Sequence, residues 1–313
     1  MTDVKFGWRV PAFPGDNSRR STFIDQITNV LARVEGRFDS LWIEDHFIPW
    51  ADFQPPDTDT LECWTTLCYL AGAFPKLDIG TLVLCQTYRN PALLAKMGAT
   101  LQILSGGRFI LGLGAGWMEE EYRAYGYEFP RASVRLAQLA ETVQVIRKMW
   151  TESPASFAGE HYQIKDAYCE PRPNPPPPIM IGAEGEKLGL RLVAEHADWW
   201  NLTGVRPEEY AHKLEVLRSH CQAVGRNCDE IVKTWTTWDD GIAIGETQAE
   251  ASNVAETSPF DGGNRIIGTP DQVAEHLRRF TDLGVEYFML RFTDFPNPAG
   301  AELFAETVIP QFR

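Results

Sequence analysis

The feature that most constrains this chain is a regular alternation of short apolar runs with longer amphipathic stretches. A two-residue hydrophobic period marks a strand and a 3.6-residue period marks a helix. Val4–Val10, Ser40–Phe47, Leu77–Cys85, Arg108–Gly114, Ile179–Gly182, Asp198–Leu202, Val232–Ile244 and Tyr287–Phe292 read as strands. A helix begins at about Ser21, with Ile24, Ile27, Leu31 and Val34 on one face. Others are expected over Leu61–Ala73, Val134–Trp150, Glu186–His196 and Glu208–Val224. Asn90-Pro91 looks like a cap and first turn, leading a face of Leu94, Met97, Leu101 and Leu104. Thr269-Pro270-Asp271-Gln272 has the form of a capping box, and Gly284 closes that helix. Parallel strands need crossover connections, so strict βα alternation demands a parallel sheet. Eight units favour closure into an α/β (β/α)₈ TIM barrel with insertions, an open doubly wound sheet being the alternative. A single domain over residues 1–313 is expected, since one barrel readily accounts for this length.

Composition narrows the function classes. A formal net charge of −14 repels phosphate backbones, so no nucleic-acid partner is expected. The six cysteines form no CxxC pair and read as reduced thiols. No apolar run reaches the ~18 residues of a membrane span, and the chain opens without an apolar signal region. A cytoplasmic protein with a small-molecule substrate and no membrane partner is the expectation. His161, His196, His212, His220 and His276 are isolated, without HxH or HExxH spacing, so no metal site is expected. GxSxG and Walker A sequences are also missing from the sequence.

Barrel active sites lie at the C-terminal strand ends, which makes those segments the ones to read for chemistry. The second strand finishes in Glu44-Asp45-His46-Phe47-Ile48-Pro49-Trp50. Alternation puts Glu44 and His46 on one face and Asp45 on the other. A histidine in a cleft can move a proton near neutral pH, whereas in a surface loop it would be merely structural. The third strand runs to Cys85 with nothing overtly chemical. The fourth ends in Gly112-Leu113-Gly114-Ala115-Gly116-Trp117, where alternate glycines permit close ligand approach or a tight turn. The fifth runs through Gly182-Ala183-Glu184-Gly185-Glu186-Lys187 into a helix, a place where free N–H groups attract an anion.

Taken as an ordered set, these motifs resemble the bacterial luciferase-like superfamily. The set also includes Ser105-Gly106-Gly107-Arg108-Phe109 and Ala197-Asp198-Trp199-Trp200-Asn201, and the resemblance runs from about Lys5 to Phe304. The branch it is most similar to is the F420-dependent oxidoreductases. The likeness to F420-dependent sugar-phosphate dehydrogenases is strongest at Asp45-His46 and Trp50. The resemblance implies a homodimeric barrel with an insertion after the seventh strand. It implies a deazaflavin ring across the strand ends, near Cys85, Gly114, Ala115 and Gly116, backed by a non-prolyl cis peptide at Leu82–Val83. Asp45 would meet the ring, and Gly182, Ala183, Glu184 and Gly185, with Lys187, would take the cofactor phosphate. His46 would act as acid or base, Trp50 would wall the pocket and Glu44 would orient the imidazole. The implied reaction is hydride transfer between F420 and a carbonyl, alcohol or activated alkene. FMN-dependent monooxygenation with O₂ is the alternative. The chain also departs from the sugar-phosphate enzymes. Trp117 replaces their glutamate, and only Thr203 and Arg206 match part of their phosphate-binding set, with no counterpart near Asn264 or Asn297. Trp117, Trp235 and Trp238 suggest a more apolar substrate pocket, or else packing.

Overall fold

The computed structural model describes residues 3–14, 20–50, 54–238, 241–258 and 265–313. Its strands are β1 (Lys5–Arg9), β2 (Ser40–Ile43), β3 (Asp78–Thr81), β4 (Leu84–Cys85), β5 (Phe109–Gly114), β6 (Ala155–Ala158), β7 (Gln163–Ala167), β8 (Ile179–Gly182), β9 (Trp199–Thr203), β10 (Val232–Thr236), β11 (Ile242–Ile244), β12 (Ile266–Gly268) and β13 (Val285–Leu290). Its helices are α1 (Arg20–Val34), α2 (Cys63–Ala73), α3 (Pro91–Leu104), α4 (Glu119–Ala124), α5 (Ala132–Thr151), α6 (Gly189–His196), α7 (Pro207–Val224), α8 (Gln248–Thr257), α9 (Pro270–Thr281) and α10 (Ala299–Thr307). Every pairing around the main sheet is parallel and joins strands in chain order, and β13 returns to β1. β3 and β4 both pair with β5, so they are two halves of one staggered barrel strand. Among the described residues, eight such strands close the (β/α)₈ barrel.

Alternation along each strand builds two apolar layers. Phe6, Trp8, Leu41, Ile43 and Ile79 face outward and pack with the helices in the larger core. Trp42, Ile110, Met180, Tyr287 and Met289 fill the interior. Trp42 takes so much of that interior that its neighbours must lack side chains. A Cβ on Gly80 would stand 2.2 Å from the indole, and one on Gly7 2.4 Å. The indole N–H is satisfied by Ser40 Oγ at 2.6 Å. The barrel is therefore a packed solid at mid-height, leaving space only at its ends.

The expected helix signals operate locally. Asn90 Oδ1 accepts from Ala92 N at 2.9 Å, and Gln272 Oε1 accepts from Thr269 N at 2.8 Å, which satisfies donors that a helix start leaves open. Several boundaries differ from the sequence reading. Leu104 is exposed at the end of α3 rather than on its buried face. The segment after α5 holds an antiparallel hairpin, β6–β7, whose mostly exposed residues lack the apolar alternation that marks a strand. The seventh strand breaks after Thr236, and β11 pairs instead with β12 in a small parallel sheet bridged by α8. This is the insertion after the seventh barrel strand. Asn264 lies outside the described residues. No helix among the described residues is long and apolar enough to cross a bilayer.

Candidate active site

A cleft of about 490 Å³ opens at the C-terminal ends of β2, β4, β5, β8 and β9. Its volume lies within the usual range for small-molecule sites. The chain leaves β2 at Ile43, and residues 44–50 cross the barrel mouth as an irregular segment. His46, Trp50, Glu44 and Asp45 all line the cleft.

His46 is mostly buried, and its ring lies 4.3 Å from that of Trp50 and 5.6 Å, edge-on, from that of Trp117. Its Nδ1 is 3.0 Å from Glu121 Oε2. Glu121, on α4, also accepts from Phe47 N at 2.6 Å, Ile48 N at 3.2 Å and the Tyr88 hydroxyl at 3.0 Å. Burial pushes the Glu121 carboxyl up, but the hydrogen bonds from His46 and the backbone outweigh it and hold the group below its ordinary range. An ionised carboxylate is acceptor-only, so His46 must present Nδ1–H to it. The neutral imidazole then carries its lone pair on Nε2. One partner thus fixes both the ring orientation and the tautomer, as in a catalytic triad.

The two acidic neighbours of His46 are committed elsewhere. Arg9, at the end of β1, and Glu44, just past the end of β2, form a buried ion pair, with Arg9 Nε 2.6 Å from Glu44 Oε1 and Nη1 2.7 Å from the Thr237 carbonyl. Orientation of the imidazole, expected of Glu44, falls to Glu121. Asp45 also lines the cleft, but its carboxylate is tied to the third strand end. It takes two hydrogen bonds from Arg89, at 2.8 and 3.0 Å, and one from Cys85 N at 2.9 Å. Burial pushes the Asp45 carboxyl up, and Arg89 works against it. This arrangement welds the second strand end to the third.

The floor is apolar. The Leu82–Val83 peptide is cis and non-prolyl, as the family resemblance implies, and separates β3 from β4. Val83 packs between Gly114 and Gly182, where a Cβ would come within 2.7 and 3.2 Å of its methyl carbon. Cys85 closes one side. Burial pushes its thiol up to about 11, so it stays protonated, and its Sγ lies 3.0 Å from the Tyr122 hydroxyl. Gly116 has φ +76°, and a Cβ there would stand 2.1 Å from that hydroxyl. The Ala115 carbonyl also accepts from it at 3.3 Å. On the far side, Gly182, Ala183 and Glu184 line the cleft where β8 leads toward α6. Leu188 brings no side-chain cap to the start of α6. A flat apolar floor beside a backbone-rich turn suits a planar ring carrying a phosphorylated tail.

Not every expected residue reaches the cleft. Gly185 and Lys187 are exposed beyond Glu184, outside the lining. Thr203 lines it, but Arg206 sits at the N-cap of α7, facing Glu209. Trp235 is buried, donates to the Val205 carbonyl at 3.0 Å and packs on Phe280. It is therefore a packing residue. Sequence reasoning missed Glu121, Tyr88, Arg89 and Arg9. Glu119-Glu120-Glu121 looks like ordinary acidic charge at a helix start. Only the third residue of that run is buried.

A family model described as luciferase-like monooxygenase matches residues 4–260. The F420-dependent glucose-6-phosphate dehydrogenase of Amycolatopsis mediterranei is 26% identical, covering 92% of this chain and 94% of that one. The same-named protein of Microbacterium testaceum is 29% identical over 91% of each chain. Among solved structures, an F420-dependent secondary alcohol dehydrogenase in complex with an F420–acetone adduct superposes with a TM-score of 0.82 at 20% identity, covering 99% of both chains. A long-chain alkane monooxygenase superposes with a TM-score of 0.79 at 16% identity, covering 99% of this chain and 91% of that one. At these identities the structural likenesses speak to the fold alone.

Proposed function

Since the chain belongs to the luciferase-like monooxygenase family, we propose that it is an oxidoreductase that uses coenzyme F420 to exchange a hydride with an alcohol or carbonyl compound. The observation that carries this reading is the His46–Glu121 pair, 3.0 Å apart at the edge of the cleft. Hydride exchange at a carbinol carbon leaves one proton to be moved at oxygen. A base with a fixed tautomer answers that need. The names of the curated relatives support F420 over FMN.

The residues that would hold the cofactor are the Leu82–Val83 floor, Cys85, Gly114 and Gly116 for the ring, and for the phosphate the turn that begins at Gly182, Ala183 and Glu184 and continues outside the cleft lining through Gly185, with Lys187 exposed beyond it. Bound there, the deazaflavin supplies a two-electron hydride acceptor or donor. The chain itself handles the proton. In alcohol oxidation His46 Nε2 accepts the hydroxyl proton while Nδ1–H stays on Glu121. The resulting imidazolium is stabilised by the Glu121 carboxylate. In carbonyl reduction the same proton returns to oxygen. Trp50 packs against the imidazole and limits its rotation, and Asp45 is held in place by Arg89.

Fluorescence titration of the purified protein tests the reading. F420 is expected to bind at least about tenfold tighter than FMN, a gap of roughly 1.4 kcal/mol. Tighter FMN binding with flavin-driven O₂ consumption would establish the monooxygenase reading instead. Binding of either cofactor without turnover of any alcohol or carbonyl compound would point to a carrier.

A further inference from the structure

Among the described residues, the cleft has exposed aromatic surface and no cation besides the Glu44-bound Arg9, and both bear on the substrate of the reaction proposed above. Trp117 is 62% exposed and Trp238 47% exposed, yet both line the cleft. An indole is normally accounted for by its burial, so two open ones at the mouth of one cleft present contact surface to a ligand. Neither is loosely placed. Trp117 stands edge-on to His46, and Trp238 lies so close over Gly204 that a Cβ there would come within 1.7 Å of its ring. Gly204, at φ +66°, thus makes room for that indole.

The charges favour an uncharged ligand. Among the described lining residues, Arg9 is the one permanent cation, and its guanidinium is bound to Glu44 and the Thr237 carbonyl. Glu44, Asp45, Glu121 and Glu184 are the lining carboxylates. Lys187 and Arg206 are exposed outside the cleft. A substrate phosphate or carboxylate entering beside His46, away from the Gly182–Glu184 turn assigned above to the cofactor, would meet Glu121 and the Arg9-bound Glu44 with no further described cation in the lining.

We propose that the hydride partner of this cleft is an uncharged carbinol or ketone with a flat apolar substituent, held by Trp117 and Trp238 while its oxygen faces His46, and not a sugar phosphate. This inference rests on the hydride-transfer reading.

The test uses the full chain with F420 and follows the visible absorbance of the cofactor with 1-phenylethanol, 2-propanol or glucose 6-phosphate. Acetophenone binding to the F420-free protein is read separately from tryptophan fluorescence. The expected kcat/KM for 1-phenylethanol exceeds that for 2-propanol by at least about tenfold, with no oxidation of glucose 6-phosphate. Trp117→Ala and Trp238→Ala replace exposed side chains and should fold. Each should cut the preference for 1-phenylethanol over 2-propanol by about tenfold and weaken acetophenone binding correspondingly. Preferred oxidation of glucose 6-phosphate, or an aryl preference unmoved in both variants, would overturn the inference and leave hydride transfer standing. Acetophenone binding that depends on both tryptophans, without F420 turnover on any of the three compounds, would support the pocket assignment and count against the hydride-transfer reading.

Discussion

Replacing Glu121 by glutamine should disable the proposed base without removing it. In the native protein the carboxylate takes hydrogen bonds from His46 Nδ1, Phe47 N, Ile48 N and Tyr88 Oη. Glutamine keeps the shape but has one acceptor oxygen and one donor nitrogen. If the amide nitrogen faced Phe47 and Ile48, two backbone donors would lose their acceptor, at a cost of about 1–3 kcal/mol each. The amide oxygen therefore takes that side, and the NH₂ group points at His46 Nδ1. Nδ1 must then accept, which moves the neutral imidazole's proton to Nε2 and removes the lone pair that faces the substrate oxygen. Loss of a general base costs about 10²–10⁴-fold in rate. That corresponds to roughly 3–5 kcal/mol of barrier. The assay is steady-state alcohol oxidation at saturating F420, with F420 affinity from fluorescence and the imidazole tautomer from ¹⁵N spectra of the cofactor-free protein. The expected result is a large fall in kcat, F420 affinity within a few fold, and the protonated nitrogen moved from Nδ1 to Nε2. A flipped tautomer with kcat within about threefold of the parent protein would refute His46 as the base. An unflipped tautomer would refute the hydrogen-bond assignment itself.

Four further outcomes are expected. His46→Ala should cut turnover by about 10²–10⁴-fold while F420 affinity barely changes, and single-turnover rates at saturating cofactor within a few fold of wild type would reduce His46 to a packing residue. Glu44→Ala should destabilise the protein by about 3–5 kcal/mol in urea unfolding, because it strands the buried Arg9 charge, and an unchanged midpoint would contradict that account. Gly185→Val should fold, since a Cβ there meets only Gly189 N at 3.9 Å, but should weaken F420 binding by about tenfold; unchanged affinity would remove Gly185 from the phosphate turn. Burial, with nearby arginines, holds the His196 and His276 imidazoles below their ordinary 6.5, so each binds its proton more weakly folded than unfolded. Their contribution to stability is complete above about 6.5 and is lost as pH falls below it toward the folded values, so Tm should drop as pH is lowered from about 6.5, and less steeply in His276→Phe. A flat Tm on that descent would argue against it.

The architecture was legible because it rests on periodicity. Each strand and helix carries its own hydrophobic period, and eight alternating units admit few closures. The ends of β2, β4, β5 and β8 could be located for the same reason, and the strand-end rule then directed attention to His46, Trp117 and Gly182 before any contact was known. What periodicity does not carry is partnership between side chains far apart in the chain. Glu121 lies 75 residues from His46, within a run of three glutamates that look alike in sequence, and only the packing of α4 over the barrel mouth buries one of them against the imidazole. Arg9 and Glu44 are 35 residues apart, and they meet because β1 pairs in parallel with β2, which sets Arg9 beside Trp42 and brings Glu44, just past the end of β2, within reach. The same holds for the tryptophans. Trp117, Trp235 and Trp238 are equivalent by composition, but β10 commits Trp235 to the core while Gly204 leaves room for Trp238 at the cleft. The local pattern determined which faces would be apolar. Three-dimensional closure decided which polar groups would meet, because a hydrogen bond requires its partners within about 3 Å, a distance that sequence separation does not encode.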